Sequence, residues 1–92
     1  MASTFLPTSG PARILIVDDH PNTASMLARA LRQFSKPVEV LTARSGPEAL
    51  EMIGQHSVEV LITDFMMPGM NGLELIERLQ NGHEPGQIIL VT

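Results

Sequence analysis

Apolar residues in this chain fall into short unbroken runs that alternate with stretches of helical period. The first run, residues 12–17, is apolar apart from Arg13, and Ile14, Ile16 and Val17 are β-branched. That pattern predicts a strand buried on both faces. It stops at Asp18-Asp19. From His20 to Phe34 the spacing becomes helical, with Leu27, Ala30, Leu31 and Phe34 as the apolar stripe and Met26 beside it. Pro21 suits the first helical turn, Asp19 is available as its cap, and Lys36-Pro37 ends it. Over residues 38–42, Val38 and Val40 sit inside a Glu39, Leu41, Thr42 pattern that suits a half-exposed strand at a sheet edge.

A second helix is predicted from the capping pattern Ser45-Gly46-Pro47-Glu48, through Ala49, Leu50, Met52 and Ile53 to about His56. The central strand, 59–63, then delivers Asp64 to its tip. Asn71-Gly72-Leu73-Glu74 repeats the capping logic for a third helix that ends near Asn81-Gly82, where glycine suits the helix C-terminus. A turn over 83–86 leads to an apolar strand at 87–91, followed by Thr92. The order β-α-β-α-β-α-β with short connections implies a parallel α/β sheet, right-handed crossovers and helices on both faces.

Composition narrows the function. Residues 1–11, with Phe5 and Leu6 as their only apolar anchors, read as a flexible leader ahead of one domain at 12–92. A formal charge of -4 with 6 basic residues argues against direct nucleic-acid contact. No apolar run approaches the roughly 18 residues of a membrane span, and the N-terminus lacks the regions of a signal peptide. Without cysteines there are no disulfides or thiolate sites, so a soluble cytoplasmic domain is expected.

The candidate chemistry lies in three acids. Ligands of open parallel sheets bind beyond the carboxyl ends of the strands, where strand order reverses. If the first and third strands are neighbours, Asp18, Asp19 and Asp64 meet there. Like charges so close repel unless a cation intervenes, and oxygen donors suit Mg²⁺ or Mn²⁺. Such an ion would also neutralise the oxygens of a phosphoryl group transferred to Asp64. Asp19 is expected as a direct ligand, Asp18 mainly through water, with a further oxygen from the Met66 backbone carbonyl. Thr92 is placed to offer its hydroxyl to the phosphoryl group. Plainer roles exist: the acid pair as a helix cap, Asp64 as a turn residue, Thr92 as a strand end. His20, His56 and His83 lack ligand spacing and read as surface residues, and His20, which adjoins the acid pair, is either a tuner of the pocket or, as the plainer reading, a bystander.

Ile14-Leu15-Ile16-Val17-Asp18-Asp19, the stretch Leu61-Ile62-Thr63-Asp64-Phe65-Met66-Met67-Pro68-Gly69-Met70-Asn71-Gly72 and the ending Ile89-Leu90-Val91-Thr92 together resemble the receiver domain of two-component response regulators. The resemblance implies a flavodoxin-like doubly wound sheet of order 2-1-3-4. It further implies an acidic metal pair at Asp18 and Asp19, a phospho-acceptor at Asp64 and a hydroxyl switch at Thr92. The implied partners are a sensor histidine kinase or phosphotransfer protein and a downstream output domain or protein.

The resemblance covers 13–92. The family's last helix-strand-helix, with its lysine, is therefore expected to be missing, and Lys36 precedes the second strand and cannot fill that role. An uncovered fourth strand predicts a homodimer formed through it. The leading expectation is a regulatory phospho-acceptor rather than an enzyme with an external substrate. The alternative is a receiver-like docking module that works without phosphorylation. A metal-dependent phosphatase fits less well, since Met66 stands where such enzymes typically carry a second acid.

Overall fold

The computed structural model describes residues 12–33, 37–79 and 85–91. Its elements are β1 (Ala12–Val17), α1 (Pro21–Leu31), β2 (Val38–Ala43), α2 (Gly46–Gln55), β3 (Val60–Asp64), α3 (Gly72–Leu79) and β4 (Gln87–Val91). The four strands form one sheet in the order β2-β1-β3-β4. All pairings are parallel, as the strand-helix alternation requires. The order reverses between β1 and β3, so the crevice lies beyond the ends of those two strands.

Period-two alternation in β1 divides the core. Leu15 and Val17 face α2 and α3 in a cluster with Leu61, Ala49, Ile53, Leu75 and Leu79. Ile14 and Ile16 face α1, where Ala24 and Ala28 are buried beside partly covered Val40, Val60 and Ile62. Leu15, Leu61 and Leu75 are fully buried. Each such side chain contributes about 1.5–3 kcal/mol, so the α2/α3 face holds the fold most firmly.

Several local expectations shift. Helix α1 ends at Leu31, and Phe34 lies outside the described residues. The helix turns Ala24 and Ala28 to the sheet, with Leu27 and Leu31 partly covered, while Ala30 and Met26 face outward. Small alanines let the helix sit close to branched strand residues, which a phase centred on Ala30 would not permit. Its N-cap is His20 without a side-chain cap, so Asp19 does not cap the helix. Strand β3 begins and ends one residue later than expected and includes Asp64. The proposed C-terminal glycine of α3, Gly82, lies outside the described residues.

Both capping motifs form. The Ser45 hydroxyl accepts from Glu48 N–H at 3.2 Å, whereas the Glu48 carboxylate reaches Arg44 N–H at 2.8 Å, one residue further back than expected. Asn71 and Glu74 bond reciprocally at 2.9 Å in each direction. Gly69 at φ +81 turns the β3–α3 loop into a backbone region that only glycine enters readily.

Gly72 opens α3 against the end of β3. A Cβ there would stand 2.6 Å from the Asp64 carbonyl oxygen and 2.7 Å from Leu90 Cδ1. The backbone oxygen cannot retreat without disturbing the strand. Gly72→Ala should therefore lower stability by about 1–3 kcal/mol, read as a reduced urea midpoint with an unchanged denaturant slope.

Candidate functional site

Register positions the acids. Val17 pairs with Thr63 across β1 and β3, so the next residues, Asp18 and Asp64, emerge level with one another. Two-residue alternation puts Asp18 on the side of Ile16 and Asp64 on the side of Ile62, both toward α1. Asp19 follows in the connection to α1. One donor atom from each of Asp18, Asp19, His20 and Asp64 falls within 4.8 Å of the others. The three acids expected together are together. Histidine joins them, and sequence reading had set it aside.

Each acid is held differently. Asp18 is only 7% exposed, and its backbone N–H donates to Ala43 O at 3.0 Å. Its Oδ1 accepts from His20 N–H at 2.8 Å and lies 3.2 Å from His20 Nδ1. Nδ1 is also 3.1 Å from Asp19 Oδ1. The bond geometry favours Asp18, and Asp19 Oδ1 is left buried with no hydrogen-bond partner. Asp64 Oδ1 takes the Met66 N–H at 3.3 Å. Buried Thr63 ties its hydroxyl to the Asp64 carbonyl oxygen at 3.1 Å. Beyond Asp64, Phe65 N–H donates to Val91 O and Gly72 N–H to Phe65 O, which fixes the exit of the chain.

A hollow of about 230 Å³ opens beside the acids, walled by Ile16, Thr23, Leu27, Ile62 and Val91. A larger one of about 310 Å³ lies at the opposite end of the sheet, against His56, Val58 and Pro85, and holds no carboxylate. Chemistry rather than size selects the site.

An orphaned buried carboxylate oxygen beside two further acids is costly unless a cation completes it. The oxygen-rich donor set fits a hard divalent ion such as Mg²⁺. Met66 contributes its N–H to Asp64, and its side chain is 69% exposed. Thr92 lies outside the described residues.

The family model for the response regulator receiver domain matches residues 14–92. The chain belongs to this family. It is 36% identical over 72 residues to a probable cyclic di-GMP phosphodiesterase of Vibrio cholerae, covering 78% of this chain and 15% of that protein. It is 35% identical over 82 residues to the transcriptional regulatory protein GlrR of Escherichia coli, covering 89% of this chain and 18% of that one. The solved chemotaxis protein CheY4 of Vibrio cholerae superposes with a TM-score of 0.77 at 31% identity, over 88% of this chain and 68% of that structure. The receiver domain thus spans less than a fifth of these two curated relatives, whose printed names give different outputs. It carries a regulatory signalling role in two-component systems. No helix among the described residues is long and apolar enough to cross a membrane.

His20 was legible only through adjacency: a histidine directly after an acid pair and before a helix-starting proline stays beside those acids. Its pKa is raised above 6.5, first by the hydrogen bond to Asp18 and then by the charge of Asp19. The folded state therefore holds the proton more firmly than the unfolded one. That stabilising contribution is full below the unfolded pKa and is lost as pH rises through the raised folded value. In the metal-free protein the His20 ring should titrate above 6.5 by NMR, and Asp18→Asn should lower the midpoint. An unshifted ring in both proteins contradicts this geometry.

Proposed function

We propose that this receiver domain accepts a phosphoryl group on Asp64 from a phosphohistidine of a sensor histidine kinase or phosphotransfer protein. The observation that carries the reading is the convergence of Asp18, Asp19 and Asp64 donor atoms within 4.8 Å at the carboxyl rim of the sheet. Asp18 and Asp19, with Asp64 and the Met66 backbone carbonyl, would hold Mg²⁺ or Mn²⁺. Bound there, the ion supplies positive charge to the phosphoryl oxygens and offsets the crowding of acids.

The chain's own groups do the rest. Met66 N–H orients the Asp64 carboxylate through Oδ1, and Oδ2 has no hydrogen bond among the described residues. Oδ2 attacks phosphorus as the P–N bond of the donor breaks, and the electron pair returns to the donor imidazole. The product is an acyl phosphate on Asp64. Asp64 is part-exposed, open to a docking donor, whereas Asp18 is buried and kept from acting as a second nucleophile. Thr92 follows Val91, which pairs with Asp64 across the sheet, and this sequence position supports the switch role for its hydroxyl. A cytoplasmic location and a downstream output domain or protein go with the reading.

Incubation with acetyl phosphate and Mg²⁺ should add one phosphoryl group, labile to hydroxylamine. Asp64→Asn should abolish it, and Asp19→Asn should weaken Mg²⁺ binding by about 10–100-fold. Labelling that survives in Asp64→Asn overturns the assignment. Failure of both acetyl phosphate and beryllofluoride to modify the wild type favours a docking module instead.

A separate feature supports self-association. Gln87 N–H donates to Glu59 O and Val91 O accepts from Phe65 N–H, so alternation turns the backbone groups of Ile88 and Leu90 outward from β3. The strand Gln87-Ile88-Ile89-Leu90-Val91 carries no charge or proline to protect that edge. Ile89 and Val91 are 48% and 46% exposed. An antiparallel pair about a two-fold axis at Ile89 sets Ile88 opposite Leu90 of a second copy and satisfies both outward-facing residues. Ile89→Lys should then convert a dimer to a monomer in light scattering. A wild type that stays monomeric at high concentration rules the pairing out.

A further inference from the structure

The imidazole of His20 stands among the metal-binding acids rather than beside them. Its Nδ1 is 3.2 Å from Asp18 Oδ1 and 3.1 Å from Asp19 Oδ1. With metal–donor bonds of about 2.1 Å in an octahedron, adjacent donors lie roughly 3.0 Å apart. Nδ1 is therefore already at adjacent-donor spacing from both carboxylates, and all four donor atoms, one from Asp64 included, lie within 4.8 Å of one another. Asp19 Oδ1 is buried with no hydrogen bond and has the His20 ring as its ion-pair neighbour, which leaves its lone pairs open to a cation.

We infer that His20 is a nitrogen ligand of the cation, and that this receiver domain prefers a first-row transition divalent ion such as Mn²⁺, Co²⁺, Ni²⁺ or Zn²⁺ over Mg²⁺. The inference rests on the acidic-pocket reading above and extends it from three carboxylates to a mixed oxygen and nitrogen donor set. Mg²⁺ is hard, holds its waters and gains little from imidazole, whereas borderline cations bind it well. His20 is free to serve because it lies at the N-cap of α1, where its side chain makes no capping bond. Its ring is 69% exposed, so it can turn about the cation without disturbing the core.

Mn²⁺ is the probe. Pulsed EPR of Mn²⁺ bound to the wild type should show a directly coordinated ¹⁴N. His20→Gln should retain a bound Mn²⁺ but lose the nitrogen coupling. Competition of Mg²⁺ against Mn²⁺ should show the preference for Mn²⁺ falling by on the order of tenfold in His20→Gln, the low end for loss of a metal-shell group. Mn²⁺ bound without nitrogen coupling, or the same coupling in His20→Gln, overturns the ligand assignment and leaves the acidic pocket standing. The same Mn²⁺ preference in both proteins overturns the selectivity. Absence of any saturable Mn²⁺ site, or one that persists when Asp18 and Asp19 are both changed to Asn, sinks the pocket reading and this one together.

Discussion

Parallel pairing of β1 with β3 in a single register is the constraint on which the site depends. Val17 opposite Thr63 makes Asp18 and Asp64 level. A slip of one residue would send Asp18 to the opposite face of the sheet and leave Asp64 without a neighbour. What prevents the slip is burial, not the acids. Leu15 and Leu61 are fully buried in the α2/α3 cluster while Ile16 and Ile62 belong to the α1 cluster, and a slipped strand would exchange those sides. The hydrophobic core therefore sets the electrostatics at the rim.

Given that placement, the backbone rather than a side-chain network prepares the acids. Asp18 is tied to the amide of His20, Asp64 to the amide of Met66. The loop beyond Asp64 can close over it because Gly72 leaves room at the Asp64 carbonyl. Asp19 Oδ1 is the buried side-chain oxygen left without a hydrogen bond among the described residues. The site thus has two oriented carboxylates and one buried oxygen without a hydrogen bond, an arrangement that favours a cation and leaves Asp64 more accessible than Asp18. Separate roles for similar residues follow from their surroundings.

Much of this was legible in the sequence. Unbroken apolar runs ending in Asp18 and Asp64 marked the strands and their tips, and the two capping motifs marked where α2 and α3 begin. Alternation of strands and helices implied a parallel sheet, but nothing in the pattern ordered the strands. The order 2-1-3-4 came with the family resemblance and is what the structure has. Helix α1 was misphased because several of its apolar residues are alanine, and alanine occurs on both sides of the helix: Ala24 and Ala28 inside, Ala30 outside. The same blurred phase hid the role of His20. A residue at a helix N-cap obeys neither strand nor helix period, so its direction is fixed only once the helix is docked.

The two faces of the sheet are unequally covered, and this bears on how a charge at Asp64 is felt elsewhere. On one side α2 and α3 bury Leu15, Val17 and Leu61 together with Leu75 and Leu79. On the other, α1 lies over β1 and β2, and the side chains of Ile89 and Val91 on β4 remain about half exposed. The hollow that reaches Asp18 and Asp64 runs along this second face, and Val91 forms part of its wall. An apolar surface and Asp64 therefore share one cavity. Any segment or molecule that packs on Ile62 and Val91 sits in the field of Asp64, and its binding and the charge state of that residue are linked by mutual necessity. In a signalling domain, a charge carried on an acid at the mouth of an apolar hollow needs no long path through the core to be felt.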